Sequence, residues 1–135
     1  MEKLKRKLED AKRALSTLEE VLGLEYSKIV RDATIQRFEY TFEATWKLLK
    51  EFLHYREGIV CNSPKSCFRE AFSVGLLTED ETISFIQMTD DRNLTSHTYD
   101  EEVAEALYRK IKNHFELMKS LLARINKSLE EQIRL

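Results

Sequence analysis

Apolar residues recur at three- and four-residue intervals along most of this chain, with charged residues filling the positions between them. Leu4, Leu8, Ala11, Leu15, Leu18 and Leu22 make one such stripe and predict a first amphipathic helix ending at Gly23. From about Ile29 to Tyr55 the stripe is Phe38, Phe42, Trp46, Leu49 and Leu53, widened by Leu48 and Phe52, all expected in the core. At about 1.5 Å per residue that second helix is roughly 40 Å long and sets the long axis of a bundle. Gly58 and the polar pair Asn62-Ser63 break the pattern. Ser63-Pro64 then has the form of an N-cap followed by proline at the first helical position, opening a short helix through Cys67, Phe68, Ala71 and Phe72 to Gly75. Thr78-Glu79-Asp80-Glu81 is a capping box that opens a fourth helix carrying Ile83, Phe85, Ile86 and Met88. Asp100 caps a last long helix with Val103, Ala104, Leu107, Ile111, Phe115, Met118, Leu122, Ile125 and Leu129 on one stripe. The pattern predicts an all-α fold, an antiparallel four-helix up-and-down bundle with an additional short helix, as a single domain over residues 1–135. The first helix and the tail of the last, from about Lys119, are alike in their dense Lys, Arg and Glu. Both read as ordinary amphipathic helices rather than as arms projecting from the core.

Composition narrows the function. A chain of 135 residues can bury a real core without disulfides or metals. Gly at 3 and Pro at 1 are too few for an all-β fold. The net charge of −2, with acidic and basic residues interleaved, supplies no global field for non-specific nucleic-acid binding, so any RNA contact must come from a local pocket. Cys61 and Cys67 have no His or Cys neighbours at zinc-site spacing and are expected as reduced thiols. The stretch MEKLKRKLEDAKRAL lacks the apolar core of a signal peptide, and no run approaches the ~20 apolar residues of a membrane span. The expectation is a cytoplasmic protein with no membrane partner.

The chemistry-bearing segment is Arg92-Asn93-Leu94-Thr95-Ser96-His97-Thr98-Tyr99. It sets a fixed cation, a titratable imidazole and a phenol within one short stretch between two helices. Arginine offers planar forked donors that match phosphate oxygens. Histidine can move a proton to or from a ribose 2′-hydroxyl or a leaving 5′-oxygen. Asn93 and Ser96 can add neutral hydrogen bonds to the phosphate or orient the imidazole. In one unbroken helix Arg92 and His97 point about 140° apart. They converge only if the helix unwinds near Ser96 or a second copy of the chain supplies half the site. RNA cleavage through the adjacent 2′-hydroxyl needs no metal and no cofactor, and neither is expected. Asp90 and Asp91 are the one carboxylate pair that could serve a metal, but they also suit a solvated helix surface. Spacing alone carries little weight, because an Arg and a His near a helix C-terminus also answer to the helix dipole.

Two segments taken together carry more. IQRFEYTFEATWKLLKEFL (Ile35 to Leu53), followed by DRNLTSHTYDEEVAE (Asp91 to Glu105), resembles the HEPN superfamily, in the branch of nucleotidyltransferase substrate-binding proteins also described as HepT-like toxins. The resemblance implies a helical bundle that forms a homodimer and brings the Arg92–His97 regions of both subunits to one cleft. It implies metal-independent cleavage of RNA by Arg92 and His97, with Asn93 and Ser96 auxiliary. It also implies a partner, a minimal nucleotidyltransferase acting as antitoxin, which transfers AMP from ATP to the tyrosine at position 99 and silences the nuclease. A nucleotide on Tyr99 would bring bulk and negative charge beside His97 and compete with substrate phosphate for Arg92. Glu39 and Glu43, four apart on the second helix, are candidates to border the cleft; otherwise they solvate the helix, Glu43 pairing with Lys47. His54 and His114 are isolated and receive no role, and Arg109, Lys110 and Lys112 read as solvated surface. The alternative is a non-catalytic substrate- or nucleotide-binding subunit of a two-component nucleotidyltransferase, in which the same residues hold nucleotide phosphate. A purely structural helical adaptor remains the third option.

Overall fold

A computed structural model describes residues 1–134, with side chains placed through residue 132. Five α-helices follow in order: α1 (Glu2–Leu22), α2 (Lys28–Glu57), α3 (Pro64–Ser73), α4 (Glu79–Asn93) and α5 (Glu101–Arg134). One 3-10 turn, Leu94–His97, joins α4 to α5. Cross-helix contacts fix the directions. Lys3 lies 3.5 Å from Glu51 at one end of the α1–α2 pair, and Arg37 donates to the Thr17 carbonyl at 2.7 Å towards the other, so these helices are antiparallel. Glu81 meets Arg124 while Asp91 meets Lys110, so α4 and α5 are antiparallel too. α2 and α5 run the same way, as an up-and-down order of four long helices requires, with α3 the additional short one.

The stripes meet in one core. Phe68 of α3 sits between Phe42 of α2 (centroids 6.0 Å) and Phe85 of α4 (4.5 Å, stacked), joining three helices through aromatic faces. Phe38, Phe42, Phe68 and Phe85 are fully buried, and burying such a side chain is worth roughly 1.5–3 kcal/mol. Leu4 of α1 and Leu129 of α5 are buried as well, so neither charged end projects from the bundle. Several positions of the expected stripes are not fully buried. Trp46 is half-buried, and its indole N–H has no acceptor among the described residues. Phe72 and Ile83 are exposed, because α3 buries Cys67, Phe68 and Ala71 and α4 buries Thr82, Phe85, Met88 and Thr89. Phe72 and Ile83 stand just past the edges of those narrow stripes.

Local chemistry sets the helix ends. Ser27, not anticipated as a cap, accepts from the Val30 N–H at 3.0 Å and starts α2. Ser63 and Ser66 form a capping box with Pro64 at the first position of α3. Thr78 and Glu81 form the expected one at α4, and Asp100 Oδ1 accepts from Glu102 and Val103 at the start of α5. Gly58 closes α2 with φ 68, the left-handed geometry that favours glycine, whereas Gly23 ends α1 with an ordinary φ of −86. The cysteines correct an expectation: Cys61 and Cys67 form a disulfide rather than free thiols. The loop after Gly58 folds back along α2, and the turn into α3 brings the two Cα atoms to 5.3 Å, within bridging range. Zinc-ligand spacing was the wrong criterion for a pair that straddles a helix start.

Glu81 does double duty. It caps α4 through the Thr78 N–H (2.9 Å) and receives the Arg124 guanidinium on both carboxylate oxygens. The Arg124 hydrogen bonds, opposed by partial burial and aided by the Thr78 N–H, hold its carboxyl down to about 2. A depressed carboxylate stabilises the fold above its unfolded value near 4.3 and loses that contribution as pH falls towards 2. Glu81→Gln should therefore cost about 1–2 kcal/mol at neutral pH, read as a lower urea midpoint. The gap to the unmodified protein should shrink steadily between about pH 5 and pH 2.

Candidate functional site

The helix that carries Arg92 stops one residue later. Beyond Asn93 the backbone tightens into the 3-10 turn, and hydroxyls take up the carbonyls that the helix end leaves free. Thr95 Oγ1 donates to the Arg92 carbonyl at 2.7 Å, Ser96 Oγ to that of Asn93 at 3.3 Å, and Thr98 Oγ1 to that of Thr95 at 3.4 Å. This is the local unwinding near Ser96, the first of the two routes by which the arginine and the imidazole could approach each other.

Arg92 is half-buried, with its guanidinium over the Phe42 ring at 5.0 Å. Its Nε donates to Asn93 Oδ1 at 3.1 Å and its Nη1 to Glu43 Oε1. Glu43 Oε2 lies 3.7 Å from Lys47. Of the two glutamates on this face of α2, Glu43 therefore joins the Arg92 group, while Glu39 is exposed one turn away. His97 is exposed, and its ring meets that of Tyr99 edge-on at 6.1 Å. Tyr99 is 84% exposed, the most exposed of the large apolar and aromatic side chains among the described residues. A single chain thus holds two groups: Arg92, Asn93 and Glu43 against α2, and His97 with Tyr99 at the surface just beyond. Ser96 is spent on the backbone. No side-chain hydrogen bond links His97 or Tyr99 to Arg92 among the described residues.

Two ion-pair anchors flank this segment, and neither was foreseen. Asp91, expected at a solvated surface, is only 6% exposed. Its carboxylate takes His114 Nε2 at 2.7 Å and Lys110 Nζ at 3.2 Å, while the His114 ring stacks on Phe38 with centroids 5.4 Å apart. Burial alone would raise the Asp91 carboxyl; the hydrogen bonds from His114 and Lys110 outweigh it and hold the group below the usual carboxylate range. His114 is therefore a structural partner of Asp91 rather than an isolated ring, and Lys110 joins it from the solvated surface, with 55% of its side chain exposed. On the other side Arg31 is 2% exposed. It forks onto Glu101 (2.7 and 3.3 Å) and reaches Glu105 at 2.9 Å and Asp32 at 2.9 Å. Glu101 lies two residues after Tyr99, so this cluster ties the first turn of α2 to the exit from the site. The sequence did contain a signal. Arg31 stands four and seven residues before Ile35 and Phe38, on the core stripe of α2, where a cation must find acids.

Among the described residues no group of three or more His, Cys, Asp or Glu is arranged to hold a metal ion, and no helix is long and apolar enough to cross a membrane.

The bundle has the HepT-like helical fold. Residues 6–127 match the family described as nucleotidyltransferase substrate binding protein like, and the chain belongs to that family. It is 36% identical over 81 residues to the probable ribonuclease HepT of Haemophilus influenzae, a match covering 57% of this chain and 54% of that protein's length. Among solved structures, a protein from Thermus thermophilus is 47% identical, with TM-score 0.82 and coverage of 85% of this chain and 98% of the other. The Haemophilus influenzae protein HI0074, described as having the fold of a substrate binding domain of a nucleotidyltransferase, is 24% identical with TM-score 0.74, covering 88% and 98%. An AMPylated Shewanella oneidensis HEPN toxin in complex with its MNT antitoxin shares the fold at 17% identity and TM-score 0.74, covering 92% and 96%.

The Asp91 anchor gives a direct test. Asp91→Asn leaves His114 and Lys110 facing a neutral amide, and a lost charged hydrogen bond of this kind costs about 1.5–3 kcal/mol. The melting temperature at neutral pH should fall accordingly, and the difference should narrow as acid protonates Asp91 in the parent protein.

Proposed function

We propose that this protein is a HEPN toxin: a metal-independent endoribonuclease that works as a cytoplasmic homodimer of one HEPN-like domain and is silenced by a minimal nucleotidyltransferase. The observation that carries the reading is the placement of His97 and Tyr99, exposed and with their rings edge-on, on the unwound segment that begins two residues after Arg92. Arg92 holds the scissile phosphate through its forked donors, with Asn93 keeping the guanidinium oriented through Nε. His97 takes the proton of the 2′-hydroxyl; the 2′-oxygen attacks phosphorus and the bond to the 5′-oxygen breaks. The departing 5′-oxygen takes up a proton, and a cyclic phosphate and a 5′-hydroxyl remain. A second copy across a symmetric interface brings a second His97, so that one imidazole can act as base and the other as acid. In silencing, the Tyr99 phenol oxygen attacks the α-phosphate of ATP and pyrophosphate leaves. The exposure of Tyr99 makes it accessible to a partner's active site.

A second reading has its own support. Glu43 neutralises Arg92 in the free chain, which suits a binding subunit that exchanges this carboxylate for a nucleotide phosphate and performs no cleavage. RNA digestion in EDTA separates the two. Arg92→Ala and His97→Ala should each lower the cleavage rate by about 10²-fold or more; cleavage retained by either variant removes the mechanism. After incubation with the cognate nucleotidyltransferase and ATP, mass spectrometry should find AMP on Tyr99 together with lost activity, and Tyr99→Phe should escape both. Nucleotide bound without AMP transfer or RNA cleavage would favour the subunit instead. Under either reading Glu43→Gln should tighten phosphate-bearing ligands by about two- to five-fold, the scale of a partly exposed ion pair.

A further inference from the structure

The outer face of α2 carries a row of side chains that the proposed chemistry leaves unused. Glu43, Lys47, Lys50 and His54 follow at steps of four, three and four residues, and so line one side of the helix over about 16 Å. The row begins at Arg92, whose partner Glu43 also faces Lys47. It runs into a groove of about 320 Å³ between the start of α1 and the loop after Gly58, lined by Lys3, Lys50, His54, Val60 and Cys61 among others. Lys3 in turn shares a second hollow with Arg6 and Lys7. The Cys61–Cys67 disulfide ties the loop wall of this groove to α3.

Charge is segregated along this path. Arg92, Lys47, Lys50, Lys3, Arg6 and Lys7 lie along it, and Glu43, Glu51 and Asp10 are the acids that pair with them or line the same hollows among the described residues, although the whole chain is net −2. The acidic first turns of α4 (Glu79, Asp80, Glu81) and α5 (Glu101, Glu102) lie outside it. Lys3 and Lys47 keep 64% and 52% of their side chains exposed, so either can leave its glutamate for a stronger anion. Lys50 stands 6.0 Å over the half-buried Trp46 ring, and Val60 is 70% exposed on the loop wall, which gives bases an apolar surface beside the cations. A cationic row beside apolar and aromatic surface is the composition that tracks a single nucleic-acid strand. We propose that this groove holds the single-stranded RNA flanking the scissile linkage, carrying the backbone from Arg92 along α2 to the first turns of α1. The proposal deepens the ribonuclease reading of Arg92 and His97 and rests on it.

The test is fluorescence anisotropy on His97→Ala protein, with single-stranded RNAs of about 4 and about 12 nucleotides across a salt series. The parent should bind the longer RNA more tightly. Lys3→Gln/Lys50→Gln should lose most of that length-dependent gain and about 1.4 from the slope of log affinity against log salt, near 0.7 for each phosphate contact removed. Lys47→Gln alone should lose about 0.7. Lys112→Gln, on an exposed face of α5 outside the groove, should keep both, and thermal melts establish that each variant is folded. A parent without any length gain, or groove variants that keep its gain and slope, would overturn the proposal. Failure of the underlying reading shows in a different assay, as RNA cleavage that survives Arg92→Ala.

Discussion

Consecutive side chains at the end of α4 leave the helix in different directions, and the whole site hangs on that divergence. Asp91 turns into α5, where His114 and Lys110 hold it; Arg92 turns to α2, where Phe42 lies beneath its guanidinium and Glu43 beside it. Neighbouring residues on a helix are about 100° apart, so one short stretch of α4 can be gripped by two other helices at once. The grip fixes where α4 ends. Past it the backbone has no further core position to fill: Leu94 is 40% exposed, and the chain tightens into the 3-10 turn that presents His97 and Tyr99. A segment with so little apolar burial of its own needs anchors outside itself.

Much of this was legible in the sequence because it is local. Stripes at three- and four-residue spacing, the capping boxes at Ser63 and Thr78 and the Asp100 cap all depend on residues within one or two turns of each other. The break near Ser96 belongs to the same class, since Thr95, Ser96 and Thr98 each bond a carbonyl three residues back. What escaped was long-range. Asp91 meets His114 across 23 residues and Arg31 meets Glu101 across 70, and no local rule pairs a particular acid with a particular base over such separations. Arg31 could have been suspected from its place on the core stripe, but its partners could not. The cysteines failed differently. Their separation of six was judged against metal sites, when the relevant fact was the fold-back of the loop that precedes Ser63.

Net charge is silent on placement. A value of −2 says how many charges there are and nothing of where they lie. Helical periodicity sorts them: Lys47 and Lys50 fall on one face of α2, and the antiparallel packing of α1 delivers Lys3 to the same face. Acids collect instead at the first turns of α4 and α5, where the helix dipole favours them. The basic row is thus a matter of register on α2 and α1, where Glu43 and Glu51 pair with Lys47 and Lys3, and not of total charge.

The two anchors also bear on why a tyrosine, rather than the arginine or histidine, would be the point of control. Residues 94–100 are suspended between the Asp91–His114 pair and the Arg31–Glu101–Glu105 cluster, so the ends of the segment are fixed while its middle is open to solvent. Arg92 is shielded by Phe42 and occupied by Glu43, which makes it hard for a second enzyme to reach. Tyr99 stands clear, with its ring against that of His97, so a group added to the phenol oxygen is held close to the imidazole without disturbing any buried contact. A bulky anion placed there alters access and local potential and leaves both anchors intact. Under the proposed reading, modification at this position would turn the chemistry off while leaving the fold as it was.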